Sequence, residues 1–267
     1  MTKTGALIPV RLASERLPGK ALKEIAGKPV IHHLLDRVFA CRYVAPADAV
    51  VCTTGDPSDD PLVAAVESYG ASVFRGARDD IIDRFGAAMA HRGFDAAVQI
   101  DGDDPLSATE YMDLTMQTLL DDPALGIVTC AGLPLGTAVK SFTRTAMDTV
   151  LAHYRTAEND TGFIYYFTKS GLCAHKQIAP VSPDHVLETA RLTLDYPEDL
   201  EVFRAVFEAF RGRDTLPGLA DIVAWLNEHP DVVQSNLHLD EEYWQRTSDL
   251  VKLDFVDADG AARTLDA

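Results

Sequence analysis

Short apolar runs recur along the first half of the chain, each too brief for a buried helix. They fall at residues 6–8, 49–53, 71–74, 96–100 and 127–130. Between them the spacing turns helical. Ile31, Leu34, Leu35, Val38 and Phe39 share one stripe, and Asp80 stands where a cap for residues 81–89 belongs. Strands alternating with helices at this rhythm predict an α/β fold of βαβ units around a mainly parallel sheet. Such sheets bind ligands at the carboxyl ends of their strands.

Three strand ends carry unusual side chains. After the first run come Arg11, Ser14, Arg16, the Pro18-Gly19 turn and Lys20. A turning loop with two arginines, a lysine and a hydroxyl suits phosphate, since arginine offers forked donors and lysine a point charge. The second run ends in Thr53-Thr54, and the fourth in Asp101-Gly102-Asp103-Asp104-Pro105.

Charge sharpens the contrast. Residues 1–28 hold six Lys or Arg against two Glu, whereas the chain totals -17, leaving -21 for the remainder. A chain so acidic repels nucleic acid and anionic membranes, so one basic loop points to a small anionic ligand. No apolar run approaches the roughly 20 residues of a membrane helix. Four cysteines without C-x-x-C spacing read as reduced thiols. Together these give the expectation of a cytoplasmic protein without a nucleic-acid or membrane partner.

The run R-x-x-S-x-R-L-P-G-K, followed by I-x-G-K-P-x-I-x-H, resembles the N-terminal signature of the CMP-sugar cytidylyltransferases. Its kin there are the CMP-Kdo synthetase-like, acylneuraminate cytidylyltransferase-like and SpsF-type spore-coat-polysaccharide enzymes. The resemblance implies a three-layer αβα, Rossmann-like nucleotide-diphospho-sugar transferase fold. It also implies transfer of CMP from CTP to a sugar acid or related small acceptor, releasing pyrophosphate, for polysaccharide or glycoconjugate synthesis. By the same resemblance Pro9, Arg11, Ser14, Arg16, Lys20, Thr53, Thr54 and Asp101 contact CTP. Arg11, Arg16, Lys20 and Asp103 serve catalysis, and Asp103 and Asp195 bind Mg2+. Arg84, Gly136 and Lys140 fall on the acceptor side. Relatives commonly pair through the middle of the chain, implying a homodimer.

Alternatives stay open. Asp195, in L-T-L-D-Y-P-E-D, is expected to end a short strand, yet it also stands where a cap for the helix opening at Pro197 belongs. Asp101-Gly102-Asp103 is literally the D-x-D metal motif of glycosyltransferases with a similar fold. A non-catalytic nucleotide-binding relative is the third reading. CMP-Kdo synthetases read Q-G-D-E-P where this chain has D-G-D-D-P, which leaves the acceptor unassigned. The expected organisation is a domain over residues 1–230, with an extended, dimerising arm at about 132–180. Residues 231–267 would be an acidic appendage, packed or loose.

Overall fold

The computed structural model describes residues 2–14 and 16–266. Seven strands form one sheet in the order Ser72–Gly76, Ala49–Thr54, Thr4–Pro9, Ala96–Gln99, Lys140–Thr143, Ile127–Cys130, His175–Ile178. The first four are mutually parallel. Lys140–Thr143 runs antiparallel to both its neighbours, and the last two strands are parallel to each other.

Alternating side chains of each strand bury themselves on opposite faces, which makes three layers. On one face Ala6, Ile8, Val51 and Val98 meet Leu34 and Val38 of helix Val30–Phe39 and Met112 and Met116 of helix Thr109–Asp121. On the other, Leu7, Val50 and Ala97 meet Phe85 and Met89 of helix Ile81–Arg92, with Phe163 and Phe167. The mainly parallel sheet is the one the apolar rhythm predicts, the three αβα layers are those the family resemblance implies, and Asp80 caps its helix by accepting from the Asp83 N–H at 2.9 Å.

Two expectations change, and an open one is decided. Within this chain the stretch 132–180 does not stand apart as an arm, because it supplies two sheet strands. Phe142 enters the second core and Ser141 bonds Thr115 at 2.9 Å, so a strand with polar residues on one face hides there. Residues 191–195 are extended but form no sheet strand. Arg191 makes one isolated bridge to Leu135, and Leu194 donates to the Asp103 carbonyl at 2.8 Å. The residues after 230 pack onto the domain rather than hanging loose. Helices Pro230–Leu237 and Asp240–Leu250 lead into a hairpin, Lys252–Val256 with Ala262–Asp266. Val251, Leu253 and Phe255 of this segment join the second core.

Candidate active site

The chain leaves Thr4–Pro9 for a neighbour on one side, Ala49–Thr54, and later takes its place on the other side as Ala96–Gln99. That reversal opens a crevice beyond the carboxyl ends of Thr4–Pro9 and Ala96–Gln99. Gly102 sits at its base, where a Cβ would lie 2.3 Å from the Pro9 carbonyl oxygen. Only glycine lets the two loops touch there. Pro9 thus enters the site through its backbone.

The basic loop folds back on itself. Ser14 and Gly19 N–H groups both donate to the Leu12 carbonyl, at 2.8 and 3.2 Å, and Ser14 Oγ accepts from Leu17 N at 3.4 Å. Gly19 takes φ 65°, the left-handed turn that Pro-Gly predicts, and delivers Lys20 into the crevice. Lys20 Nζ bonds Asp103 Oδ2 at 2.8 Å and Asp195 Oδ1 at 3.0 Å. Arg16 reaches the same Asp195 oxygen at 2.5 Å. Residues up to 175 positions apart in sequence therefore converge on one ammonium group.

The two carboxylates differ in setting. Asp195 is 3% exposed and Asp103 31% exposed. Burial pushes Asp195 upward, but Lys20 and Arg16 outweigh it and hold the carboxyl below the usual range. For Asp103 burial prevails over Lys20, with the charges of Asp195 and Asp101 adding, so its carboxyl is raised. Burial would lower Lys20, yet the two aspartates raise it, so it stays a cation. Asp195 does not cap the helix Pro197–Ala209. Asp199 does, with one oxygen accepting from the N–H groups of Asp195 and Tyr196, both at 2.9 Å. That frees the Asp195 carboxylate for the crevice.

Other predicted site residues are less uniform. Asp101 accepts from Gln99 at 2.8 Å and from Lys140 at 2.6 Å, so Lys140 does reach the site, opposite Gln99 in the sheet. Arg11 lies on the far flank, 3.4 Å from Asp79 and 3.1 Å from Asp160. Thr53 and Thr54 turn their hydroxyls to buried Asp59, at 2.9 and 2.6 Å, and Asp59 also accepts from the Leu12 N–H at 2.8 Å. Arg84 is a correction. It is 2% exposed and donates to the Ala77 and Arg78 carbonyls at 2.7 and 2.8 Å, so it braces a loop rather than facing an acceptor. Gly136 is another. With φ 87° and a notional Cβ 2.1 Å from the Leu192 carbonyl oxygen, it is a backbone crossing.

A family model for cytidylyltransferases matches residues 6–211. The chain belongs to the cytidylyltransferase family. The 3-deoxy-manno-octulosonate cytidylyltransferase of Geobacter sulfurreducens is 33% identical over 170 residues, which is 62% of each chain. That of Pelobacter propionicus is 39% identical over 127 residues, 47% of its length. An uncharacterized protein of Methanocaldococcus jannaschii aligns over 91% of this chain and 98% of its own at 25% identity. The solved structure of a cytidylyltransferase from Leptospira borgpetersenii superposes with TM-score 0.78, covering 88% and 98% of the two chains at 24% identity, a likeness of fold.

Three residues to which the motifs gave no role complete the site. Arg191, fully buried, binds Asp199 at 3.0 Å, lies 3.5 Å from Asp195 and reaches Asp240 at 3.4 Å. It stands at the head of the R-L-T-L-D run, where its charge in an apolar stretch was the available signal. Asp199 is the second. Asp104 is the third. It is 5% exposed, its Oδ1 has no hydrogen-bond partner, and burial with the charges of Asp103 and Asp101 raises its carboxyl well above the usual range.

Among the described residues no three acidic, histidine or cysteine side chains form a metal-holding group. The donor set nevertheless suits one hard cation shared with a ligand. Asp103 and Asp195 aim oxygens at a single point now held by an ammonium, and crowded carboxylates around it favour more positive charge.

Proposed function

We propose that this chain transfers CMP from CTP to a sugar acid or related small polyhydroxylated acid, for glycoconjugate synthesis. An acceptor hydroxyl oxygen bonds to the α-phosphorus and gives up its proton to solvent as the bond to the β-phosphate oxygen breaks, and pyrophosphate leaves with that bond's electron pair. The observation that carries this reading is Lys20 Nζ bridging Asp103 and Asp195 at the switch point of the sheet. The ion pairs of Lys20, Arg16 and Arg11 are with carboxylates, which a triphosphate can replace. Ser14 and the loop N–H groups add donors. Asp103 and Asp195 are the residues that would hold Mg2+ together with oxygens of the bound triphosphate. When bound, that ion would screen the charge gathering on pyrophosphate.

The glycosyltransferase reading fits less well. Asp101, the first residue of D-x-D, gives one oxygen to Gln99 and the other to Lys140, so only Asp103 of the motif is turned to the cation point. The names of the Geobacter and Pelobacter relatives support a sugar acid as acceptor. A cytoplasmic homodimer, which the family resemblance implies, belongs to the same proposal. No helix among the described residues is long and apolar enough to cross a membrane.

Thermal unfolding with Mg2+ and each nucleoside triphosphate tests the nucleotide. CTP is expected to raise Tm more than ATP, GTP or UTP, by the equivalent of about 2.7 kcal/mol at a hundredfold excess over Kd. Equal shifts for all four would defeat the cytidine assignment.

A further inference from the structure

A second cavity lies away from the crevice. Its volume is about 450 Å3, within the range of small-molecule sites, and its lining comes from helix Val30–Phe39, the loop 211–217 and the end of helix Pro197–Ala209. That last helix has 13 residues, a length of roughly 20 Å, and Asp195 and Asp199 stand at its opposite end. No crevice residue named above lines the cavity.

One wall is a buried cation. Arg37 lines the cavity and is 2% exposed. The other two fully buried arginines have carboxylates close by, Arg84 with Asp160 at 3.6 Å and Arg191 with Asp199 at 3.0 Å. Arg37 has none within ion-pair distance among the described residues; its Nη2 donates to the Pro217 carbonyl at 3.1 Å. The nearest acids are engaged elsewhere. Asp36 accepts from Lys28 and from Tyr69 Oη at 2.7 Å, and Glu110 accepts from the Leu219 N–H at 2.7 Å. Burial outweighs the charges of Glu110 and Asp36 and pulls the guanidinium down to about 10. A carbonyl takes one of five N–H donors and supplies no charge, so this place lacks an anion.

Arg211 and Arg213 line the same cavity. Both are more than half exposed, and so are their partners, Glu208 at 3.2 Å and Asp221 at 3.9 Å, so these pairs are weak and exchangeable. All three arginines stand in or just after the last turn of a helix, where cations are favoured. That effect is smaller than the cost of burying a whole charge, so it does not account for Arg37. The cavity also has an apolar side. Phe207 stacks on His33 with ring centres 4.0 Å apart, and Leu216 is left 44% exposed. Guanidinium forks match phosphate oxygens, and three of them exceed what one carboxylate can use.

We infer that this cavity is a second ligand site, which takes a small phosphate monoester with an apolar or aromatic body. The phosphate meets Arg37, Arg211 and Arg213, and the body lies against Phe207 and Leu216. The site is separate from the crevice and does not depend on cytidylyl transfer.

The test titrates the full chain with phenyl phosphate, read by calorimetry. Wild type is expected to show a binding component that Arg16→Ala leaves intact, because Arg16 belongs to the crevice. Arg37→Met, which keeps bulk and removes charge, should weaken that component at least about tenfold. Arg211→Ala combined with Arg213→Ala should weaken it similarly at unchanged Tm, and this surface pair decides the matter if Arg37→Met does not fold. Inorganic phosphate, which lacks the body, and phenol, which lacks the phosphate, should each bind more weakly than phenyl phosphate. Binding lost in Arg16→Ala but kept in the arginine-loop variant puts the anion in the crevice and overturns the inference. So does the absence of any binding in wild type up to about 10 mM phenyl phosphate. Inorganic phosphate binding as tightly as phenyl phosphate overturns the monoester class.

Discussion

Two acidic sites flank the carboxyl end of Thr4–Pro9, Asp59 on the side of Ala49–Thr54 and the Asp103–Asp195 pair on the side of Ala96–Gln99, and they behave differently. Asp59 accepts from two threonine hydroxyls and from the N–H groups of Leu12 and Thr54, all neutral donors. Asp103 and Asp195 are satisfied by the charged ends of Lys20 and Arg16. The first network is closed, for its donors are backbone or short side chains that cannot leave. The second is held by long side chains that a competing anion can draw away. Buried polarity alone does not mark a reactive site; what matters is whether the partners can be exchanged.

The sharpest way to break this contrast is to remove charge from the exchangeable group. Asp103→Asn and Asp195→Asn should each cut turnover by about a thousandfold, the effect of several kcal/mol at the transition state. The double variant should lose little more, since groups serving one centre act as a unit. Near-normal turnover in Asp195→Asn would make that residue structural, like Asp59. The closed group should respond in stability instead. Asp59→Ala strands buried donors and is expected to lower the unfolding free energy by about 3 kcal/mol in urea titration. A wild-type midpoint would show that the network is as replaceable as the other.

The smallest effect is one of pH. Because the Asp104 carboxyl is raised in the fold, its share of stability is complete below the ordinary value of 3.8 and declines as pH rises toward the folded value. Asp104→Asn should therefore show a slightly higher Tm than wild type at pH 7, with the gap closing below pH 4. A gap that widens in acid would reverse the sign and place a charged, paired carboxylate there.

Much of this was legible in the sequence, for physical reasons that also explain the rest. Apolar runs report which residues are buried, so five of the seven sheet strands could be read. Lys140–Thr143 escaped because its burial alternates Phe142 with a hydrogen-bonded Ser141. Lys20, Asp103 and Asp195 were legible through the signature they share with known enzymes. Arg84 was misjudged because residue type says what a side chain can bond, not which nearby acceptor takes it first. Arg84 meets two carbonyls within its own loop.

Gly136 has a consequence of another kind. The strand-end acids on the sheet and Asp195 on its separate segment are spaced by the contact of Gly136 with the Leu192 carbonyl, where no methyl group fits. The gap that sets the reach of Lys20 is thus specified by the absence of an atom. Genetic drift at this codon is closed to every other amino acid unless the 192–195 segment moves, and a moved segment takes Asp195 with it. A position that touches no substrate is therefore under the same constraint as the residues that do.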